Sequence, residues 1–364
     1  MGFLNTVYRL IEPGAKLHPI ELLPFYLLPS FFYFVSGTDW GADIVATCLL
    51  NLFIQGVLFL LVVQIPTAVT GHMSYVDIGW PCGLVALAIT CLVDGNSTDP
   101  TRKNLAATCL LLHGSRMAIG ALVLFFPYVF KDDLSRYQYA KSRFVAETDS
   151  PSLWPLKQQH DTLMQMYANT VTLAGPFILM ATNPNPSLHP VEILGGVMWA
   201  CCSVCESTAD LQMNRFVKAA KKNGDIRTAV LGYAPYDKGY FLWTICRHPN
   251  YFFEWMCWNS FIVMAVPSVV DLYNDPGQSP YAKAAFVVLL YFTSRSFYDC
   301  LLYWTGAEPA EARSVGRRPD YKKYQEITRV FWPVWVPFFA HHQTPGWPRA
   351  EEESERLAAD SNQK

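Results

Sequence analysis

Long apolar stretches, separated by short polar segments, dominate this chain. A helix of about 20 apolar residues crosses the hydrocarbon core of a bilayer, and eight stretches reach or approach that length. They are residues 20–36, 43–66, 75–93, 105–128, 166–182, 190–209, 252–272 and 282–304. The stretch 166–182 is marginal, and Pro176 is expected to kink it. The pattern predicts an all-α, polytopic integral membrane bundle of about seven or eight transmembrane helices.

The rest of the pattern divides the chain into three parts. Residues 1–69 are predicted to hold the N-terminal membrane helices, 70–340 the main membrane domain, and 341–364 a charged, disordered tail. The aromatic run 330–340 is too short and too rich in proline to span, so we expect it in the membrane interface. No Gly-x-Gly-x-x-Gly follows a predicted strand, so no Rossmann sheet is expected.

Basic residues are concentrated in three loops, after residue 128, at 215–227 and after residue 304. With eight spans, these loops and both termini fall on one side of the membrane, which the positive-inside rule makes cytosolic. The opposite side receives the loop 94–104 with its glycosylation sequon Asn96-Ser97-Thr98. We therefore expect an integral protein of the endoplasmic reticulum with cytosolic termini.

Composition agrees with a membrane protein. Hydrophobic residues make up 51% of the chain and charged residues 16%, whereas soluble domains carry about 25% charged residues. The net charge of −2 provides no basic field for nucleic acid. Cys202 and Cys205 lie in an apolar stretch with no second ligand pair, so we interpret them as small apolar residues and expect no metal site.

The densest polar group at the edge of an apolar span is Arg247-His248-Pro249-Asn250-Tyr251 with Glu254. Pro249 suits the first turn of a helix, because its missing N–H has no partner to lose there. His248 then lies at the cap, and Asn250 and Glu254 share one helix face. Helix N–H groups beside Arg247 predict an anion site suited to phosphate. Interfacial anchoring is the alternative, but it explains neither Asn250 nor Glu254.

A second polar group closes the apolar span 190–209. Glu206 and Asp210 are four residues apart and share a helix face, where like charges repel unless a ligand or an arginine offsets them. Arg215 and Lys218 follow on a neighbouring face. Either this segment binds ribose and phosphates, or the helix simply ends in water.

Asp77 lies just inside the apolar stretch 75–93, two residues after Tyr75. Three interpretations remain open: a buried acid with a raised pKa, a partner of Arg116, or a charge at a helix N-terminus. Because Arg116 lies within the span 105–128, it needs a counter-charge or a water-filled cavity.

Tyr321 and Tyr324 lie one turn apart on a short predicted helix that follows Arg317 and Arg318. They can stack on a flat ring or bond to a phosphate. The alternative is membrane-surface anchoring by basic and aromatic side chains.

In their order along the chain, these residues resemble the steroid 5-alpha-reductase superfamily and, within it, the branch known as DUF1295. The resemblance covers roughly residues 70–335. It is carried by Asp77…Trp80, Arg116, Arg136-Tyr137, Glu206…Ala209-Asp210…Gln212, Leu242-Trp243, Arg247-His248-Pro249-Asn250-Tyr251, Glu254, Thr305-Gly306…Glu311 and Pro319…Tyr321…Tyr324.

The resemblance implies an NADPH-dependent reductase that acts on a carbon–carbon double bond. NADPH would bind from the cytosolic side, and an apolar, lipid-like substrate would enter from the membrane. The resemblance implies that Glu206, Asp210, Asn250 and Tyr321 bind the phosphates and ribose of the cofactor, with Arg247 and His248 beside them. Arg215 and Lys218 are the candidates for the 2′-phosphate. Tyr251, Glu254 and Tyr324 complete the implied cofactor-binding set. Asp77 or Tyr75 is the expected proton donor or oxyanion stabiliser.

The chain departs from the superfamily pattern at three places. Phe253 stands where the motif usually has glycine, and the segment Thr305–Glu311 matches Ser-Gly-x-Pro-x-x-Glu only loosely. Known steroid reductases carry a substrate-binding glutamate in an early span, whereas 43–66 holds Gln55 and Gln64 and no acid. We therefore expect a lipid-like substrate that need not be a steroid.

Two alternatives to a reductase remain. The Arg-His-Pro-x-Tyr element also occurs in membrane carboxyl methyltransferases that act on isoprenylcysteine, which makes S-adenosylmethionine the rival cofactor. That cofactor has no phosphates, so the basic cluster 215–227 favours NADPH. The other alternative is a non-catalytic lipid-binding protein that kept the fold.

Overall fold

The computed structural model describes residues 35, 37–125 and 132–333 of the chain. Regular structure in these ranges is helical, with no strand. The α-helices are α1 (Asp39–Phe59), α2 (Ile65–Thr70), α3 (Val76–Asp94), α4 (Pro100–Phe125), α5 (Ser135–Thr148), α6 (Trp154–Tyr167), α7 (Ala174–Thr182), α8 (Pro190–Asn223), α9 (Phe241–Ile245), α10 (Pro249–Asn274), α11 (Pro280–Asp299), α12 (Ala307–Val315) and α13 (Tyr321–Ile327). Three π-helical turns, Leu60–Gln64, Ala168–Thr172 and Cys300–Trp304, join α1 to α2, precede α7 and follow α11.

Five helical stretches of the described residues are long and apolar enough to cross a membrane. They are Asp39–Thr70, Met73–Asp94, Pro100–Val123, Pro249–Asn274 and Pro280–Val315. Each coincides with one predicted span, and large apolar side chains such as Phe53, Val93 and Val123 are exposed on them. Such side chains suit lipid rather than water. The predicted all-α membrane bundle is confirmed, while its count of seven or eight crossings stays a prediction.

Two further predicted spans are helical but do not belong to those five. The stretch 166–182 contains the π-helical turn Ala168–Thr172 and the nine-residue α7, and its residues from Asn169 onward are buried. The stretch 190–209 is the first part of the 34-residue α8. The span 20–36, apart from Val35, and the tail 341–364 lie outside the described residues. The predicted division at residues 69 and 340 stays a prediction.

Contacts within the chain divide it into two compact units. Among the described residues, the first unit comprises 35, 37–125, 132–200 and 258–296, and the second comprises 201–257 and 297–333.

A buried amide network holds the apolar helices of the first unit together. The Gln55 side chain donates to the Gly83 carbonyl at 2.8 Å, and the Asn51 amide donates to the Asn169 carbonyl at 3.1 Å. Asn169 in turn donates to the Trp80 carbonyl at 2.9 Å. Because lipid offers no hydrogen bonds, such groups must be satisfied inside the bundle. Gln55, one of the two glutamines of the early span 43–66, is therefore part of this interhelical network.

An ion pair that the sequence did not predict lies at the start of α8. Arg102 and Glu192 are both 1% exposed, and the Arg102 Nε donates to a Glu192 carboxylate oxygen at 2.6 Å. The same guanidinium donates to the carbonyls of Asn185 and Ser187, and Glu192 also accepts from the His189 N–H. The pair thus fixes the loop before α8 to α4.

The second unit has an aromatic core where the sequence predicted an interfacial segment. Val330, Phe331 and Trp332 are buried and pack against Phe252 and Tyr298. The Trp332 indole N–H donates to the Tyr298 hydroxyl at 3.1 Å. Aromatic partners within the unit therefore cover the described part of the run 330–340, and its place in the membrane interface stays a prediction. Residues 334–340 lie outside the described ranges.

Candidate functional site

The chain enters α10 of the second unit in a short extended segment. The Arg247 N–H donates to the Arg329 carbonyl at 2.7 Å, and the His248 N–H donates to the Val330 carbonyl at 3.1 Å. Helix α10 then begins at Pro249, and the Phe252 N–H bonds to the His248 carbonyl. The predicted helix start at Pro249 with His248 at the cap is confirmed.

The Arg247 guanidinium is directed into the protein and is 2% exposed. Its Nε donates to Glu311 Oε1 at 2.6 Å and an Nη atom donates to Glu311 Oε2 at 2.9 Å, a two-pronged ion pair. The other Nη donates to the carbonyls of Gln325 and Thr328. Burial opposes its charge, but Glu311 outweighs burial and raises the pKa of the guanidinium. Arg247 therefore links α10, α12 and α13.

His248 belongs to the same network. Its Nε2 lies 3.0 Å from Glu311 Oε1, and its ring stacks on the Tyr251 ring with 5.2 Å between centroids. The Gln325 side chain donates to Glu311 Oε2 at 2.7 Å, so one carboxylate receives three side chains. These contacts give Arg247 and His248 a structural role, and their predicted contact with a cofactor stays a prediction.

A separate polar cluster forms where α8 and α10 face one another. The Asn250 side chain on α10 donates to Asp210 Oδ1 on α8 at 3.3 Å. The thiol of Cys257, two turns along α10, lies 4.0 Å from Glu206 Oε2. Glu206 and Glu254 are both buried. We name Glu206, Asp210, Asn250 and Glu254 the acidic cluster; the structure brings these four predicted residues onto facing helices.

A side-chain oxygen of Asn250 in the acidic cluster has no hydrogen-bond partner among the described residues. The Asn250 Oδ1 is buried and accepts no hydrogen bond within residues 37–125 and 132–333. An unsatisfied buried acceptor of this kind costs about 1–3 kcal/mol. A ligand hydroxyl or amide N–H is the group that would satisfy it.

Helix α9 and the preceding loop pack beside this cluster. The Trp243 indole N–H donates to the Ala209 carbonyl at 3.1 Å, and the Leu242 N–H donates to the Gln212 side chain at 3.3 Å. The Tyr324 hydroxyl donates to the Trp243 carbonyl. These bonds attach α9 to α8 and to Tyr324 of α13.

The predicted tyrosine pair lies on α13 as expected. Tyr321 and Tyr324 are 6% and 1% exposed, and their rings meet edge to face at 5.7 Å. Burial raises the pKa of both phenols well above their usual value; the Glu311 charge adds to the effect at Tyr321. Both phenols therefore stay neutral, and Tyr324 uses its hydroxyl internally.

The remaining predicted cofactor residues, Arg215 and Lys218, are exposed on α8. They follow Asp210 by five and eight residues, toward the C-terminal end of the helix. The Phe253 ring packs against the Phe252 ring at 5.2 Å between centroids. Bulk at this position therefore fills the core of the second unit.

The predicted proton donors lie in the first unit. Asp77 on α3 accepts from an Arg136 Nη at 2.5 Å and from the Tyr137 hydroxyl at 2.8 Å, so its described partners come from α5 rather than from Arg116. Burial, with the Asp77 charge second, raises the pKa of Tyr137 well above its usual value. Tyr75 is buried among Phe59 and other apolar side chains. The roles of Asp77 and Tyr75 in catalysis stay predictions.

Two residues of the Arg247 network were missing from the predicted site. Glu311 occurs in the loosely matching Thr305–Glu311 segment, and Gln325 follows the tyrosine pair. A buried arginine at a span edge signals that an acid must exist elsewhere, but that signal does not identify which acid.

Comparison with known families gives one match. The family model described as "Protein of unknown function (DUF1295)" matches residues 61–328. No curated protein and no solved structure matches the chain.

Proposed function

The chain belongs to the DUF1295 family, and we propose that it is a membrane-embedded reductase that uses NADPH to saturate a carbon–carbon double bond of a lipid-like substrate. The observation that carries this proposal is the acidic cluster, in which Asp210 and Asn250 meet although they are 40 residues apart. The resemblance to steroid 5-alpha-reductases supplies the reaction class. The endoplasmic reticulum, with both termini cytosolic, is the location that we propose with it.

The chemistry of the acidic cluster fits the sugar of a nucleotide. Carboxylates of Glu206 and Asp210 are acceptors for ribose hydroxyls, and the unpaired Asn250 Oδ1 accepts one more donor. The same carboxylates repel phosphates, so the phosphates need cations nearby. Exposed Arg215 and Lys218 on α8 supply two, which favours NADPH over a phosphate-free cofactor.

When bound, NADPH supplies a hydride. The acidic cluster would hold the ribose and orient the nucleotide. The proton comes from a group of the chain, for which we propose Asp77 or Tyr75. Asp77 accepts from Arg136 and Tyr137, and these two bonds hold its carboxyl group in one orientation.

The cofactor is tested by the thermal stability of the purified full chain in detergent. NADPH is expected to raise the apparent Tm, because a ligand that binds only the folded state stabilises it, whereas S-adenosylmethionine leaves the Tm unchanged. Asn250→Ala and Asp210→Asn are expected to weaken NADPH binding about tenfold each, the effect of losing one hydrogen bond to a ligand. Asn274→Ala, an exposed asparagine at the far end of the same helix, serves as the control.

Three results would contradict the proposal. Stabilisation by S-adenosylmethionine alone would favour the methyltransferase. Stabilisation by neither nucleotide would favour a lipid-binding protein without catalysis. NADPH binding that is equally strong in wild type, Asn250→Ala and Asp210→Asn would place the cofactor elsewhere.

The proton donor is tested in cells that lack the protein. Comparative lipidomics is expected to show one lipid class accumulating in a form two hydrogens lighter than its product. Wild-type protein restores the profile, whereas Asp77→Asn is expected to restore about 1% of the flux or less, since general acid catalysis contributes about 10²–10⁴-fold. Asp161→Asn removes another ion-paired carboxylate, the partner of Lys157, and should restore the profile fully. Full rescue by Asp77→Asn would exclude Asp77 as the donor.

A further inference from the structure

A group of arginines surrounds the turn that follows α12 in the second unit. Arg313 lies in the last turn of α12, and Arg317 and Arg318 follow at once. The N–H groups of Arg317 and Arg318 both bond to the Ser314 carbonyl, at 3.2 and 2.9 Å. The turn therefore holds these two side chains next to each other although their charges repel.

Arg318 is the half-buried member of this group, whereas Arg313 and Arg317 are exposed. Its side chain is half-buried, and its Nε is buried with no hydrogen-bond partner among the residues that the structure describes. An Nη atom reaches the Ser314 hydroxyl only at 3.5 Å. Burial lowers the pKa of the guanidinium; nearby Tyr321 opposes this effect, and Arg317 adds to it. A desolvated cation with an unused donor is costly unless an anion binds it.

The acids near Arg318 are engaged with other cations. The Asp320 carboxylate accepts from the Lys323 ammonium at 2.9 Å. Glu311 is bound by Arg247, His248 and Gln325. Neither carboxylate neutralises Arg318, so the turn keeps a net positive charge.

We propose that Arg318, together with Arg317 and the ring edge of Tyr321, forms a binding site for a phosphate group. Guanidinium groups present several N–H donors in a plane, which matches the oxygens of a phosphate. The phosphate can belong to a nucleotide, in which case the inference rests on the proposed function. It can equally belong to an anionic lipid headgroup, because the apolar stretch Pro280–Val315 ends at this turn.

The test uses the full chain in phosphatidylcholine nanodiscs with three probes: NADPH, NADH, and nanodiscs that contain phosphatidic acid. Wild-type protein is expected to gain thermal stability with at least one probe. Arg318→Gln is expected to weaken that response about tenfold to a hundredfold, the effect of losing charge-assisted hydrogen bonds. Arg318→Lys keeps the positive charge, so its response to the probe should be weakened less than that of Arg318→Gln. Lys323→Gln removes an exposed charge that is already paired, and it should behave as wild type.

The pattern of responses identifies the source of the phosphate. If Arg318→Gln weakens only the response to NADPH, the site binds the 2′-phosphate. If it weakens the responses to NADPH and NADH equally, the site binds the pyrophosphate. A loss confined to phosphatidic acid, with no nucleotide binding to wild type, supports the phosphate site and defeats the reductase proposal. Wild-type protein that responds to no probe would overturn the inference. The inference would also be overturned if Arg318→Gln gave the same thermal response as wild type. If Arg318→Gln does not fold, a wild-type response of Arg318→Lys would overturn it.

Discussion

Glu311→Ala is expected to lower the free energy of unfolding by about 3–5 kcal/mol, because it leaves Arg247 charged and buried without its carboxylate. Glu311 is completely buried, and Arg247, His248 and Gln325 all bond to it. Burial of both partners shields these bonds from bulk solvent. The loss should therefore exceed that of an ordinary surface ion pair, which contributes about 0–1 kcal/mol.

Unfolding in mixed micelles with increasing denaturing detergent, followed by circular dichroism, measures this loss. Glu326→Ala, an exposed glutamate on the neighbouring α13, should change the free energy of unfolding by less than about 0.5 kcal/mol. The double variant Arg247→Met, Glu311→Met should be more stable than Glu311→Ala alone, because no unpaired charge stays buried. A loss below about 1 kcal/mol in Glu311→Ala would show that the pair is hydrated.

Gly232→Ala is expected to destabilise the protein by about 2–5 kcal/mol, and to disturb the attachment of α9. Gly232 has a φ of +83°, which costs a residue with a side chain about 1–2 kcal/mol. An added Cβ would lie 2.7 Å from the Tyr324 hydroxyl oxygen and closer still to the Trp243 carbonyl oxygen. Relieving that overlap costs about another 1–3 kcal/mol, and it separates the tyrosine from the carbonyl to which it donates.

Gly224→Ala is the matched control for this prediction. Gly224 also has a positive φ, +78°, but a Cβ there meets no atom within 4 Å. Its cost should therefore be only the backbone term of about 1–2 kcal/mol, as measured by the same micelle unfolding. Equal losses in the two variants would show that the contact of Gly232 with Tyr324 and Trp243 contributes nothing.

Local chemistry made several parts of the fold predictable from the sequence. The missing N–H of Pro249 marks the start of α10, and continuous apolar composition marks the five membrane-length stretches. The i, i+4 spacing of Glu206 and Asp210 placed both on one face of a helix. Each of these inferences uses residues within a turn or two of one another, where backbone geometry alone decides the outcome.

The partners of the charged residues were not predictable in this way. Arg247 was interpreted as an anion-site residue, whereas its side chain pairs with Glu311, 64 residues further along the chain. Pairing with Arg116 was one of three interpretations of Asp77, yet Asp77 bonds to Arg136 and Tyr137. The aromatic run at Phe331 resembled an interfacial anchor because its sequence does not show that Phe252 and Tyr298 cover it. Long-range pairing depends on how the helices pack, which composition and spacing do not determine.

The hydrogen bonds from Arg247 and His248 to Arg329 and Val330 join segments made far apart in time during translation. The motif is synthesised before its partners, because Glu311, Arg329 and Val330 all follow it in the chain. A nascent or prematurely terminated polypeptide that ends before residue 311 therefore carries an uncompensated cation in its interior. The second unit of such a product should therefore fail to reach its folded state, because the partners that neutralise and satisfy Arg247 are missing.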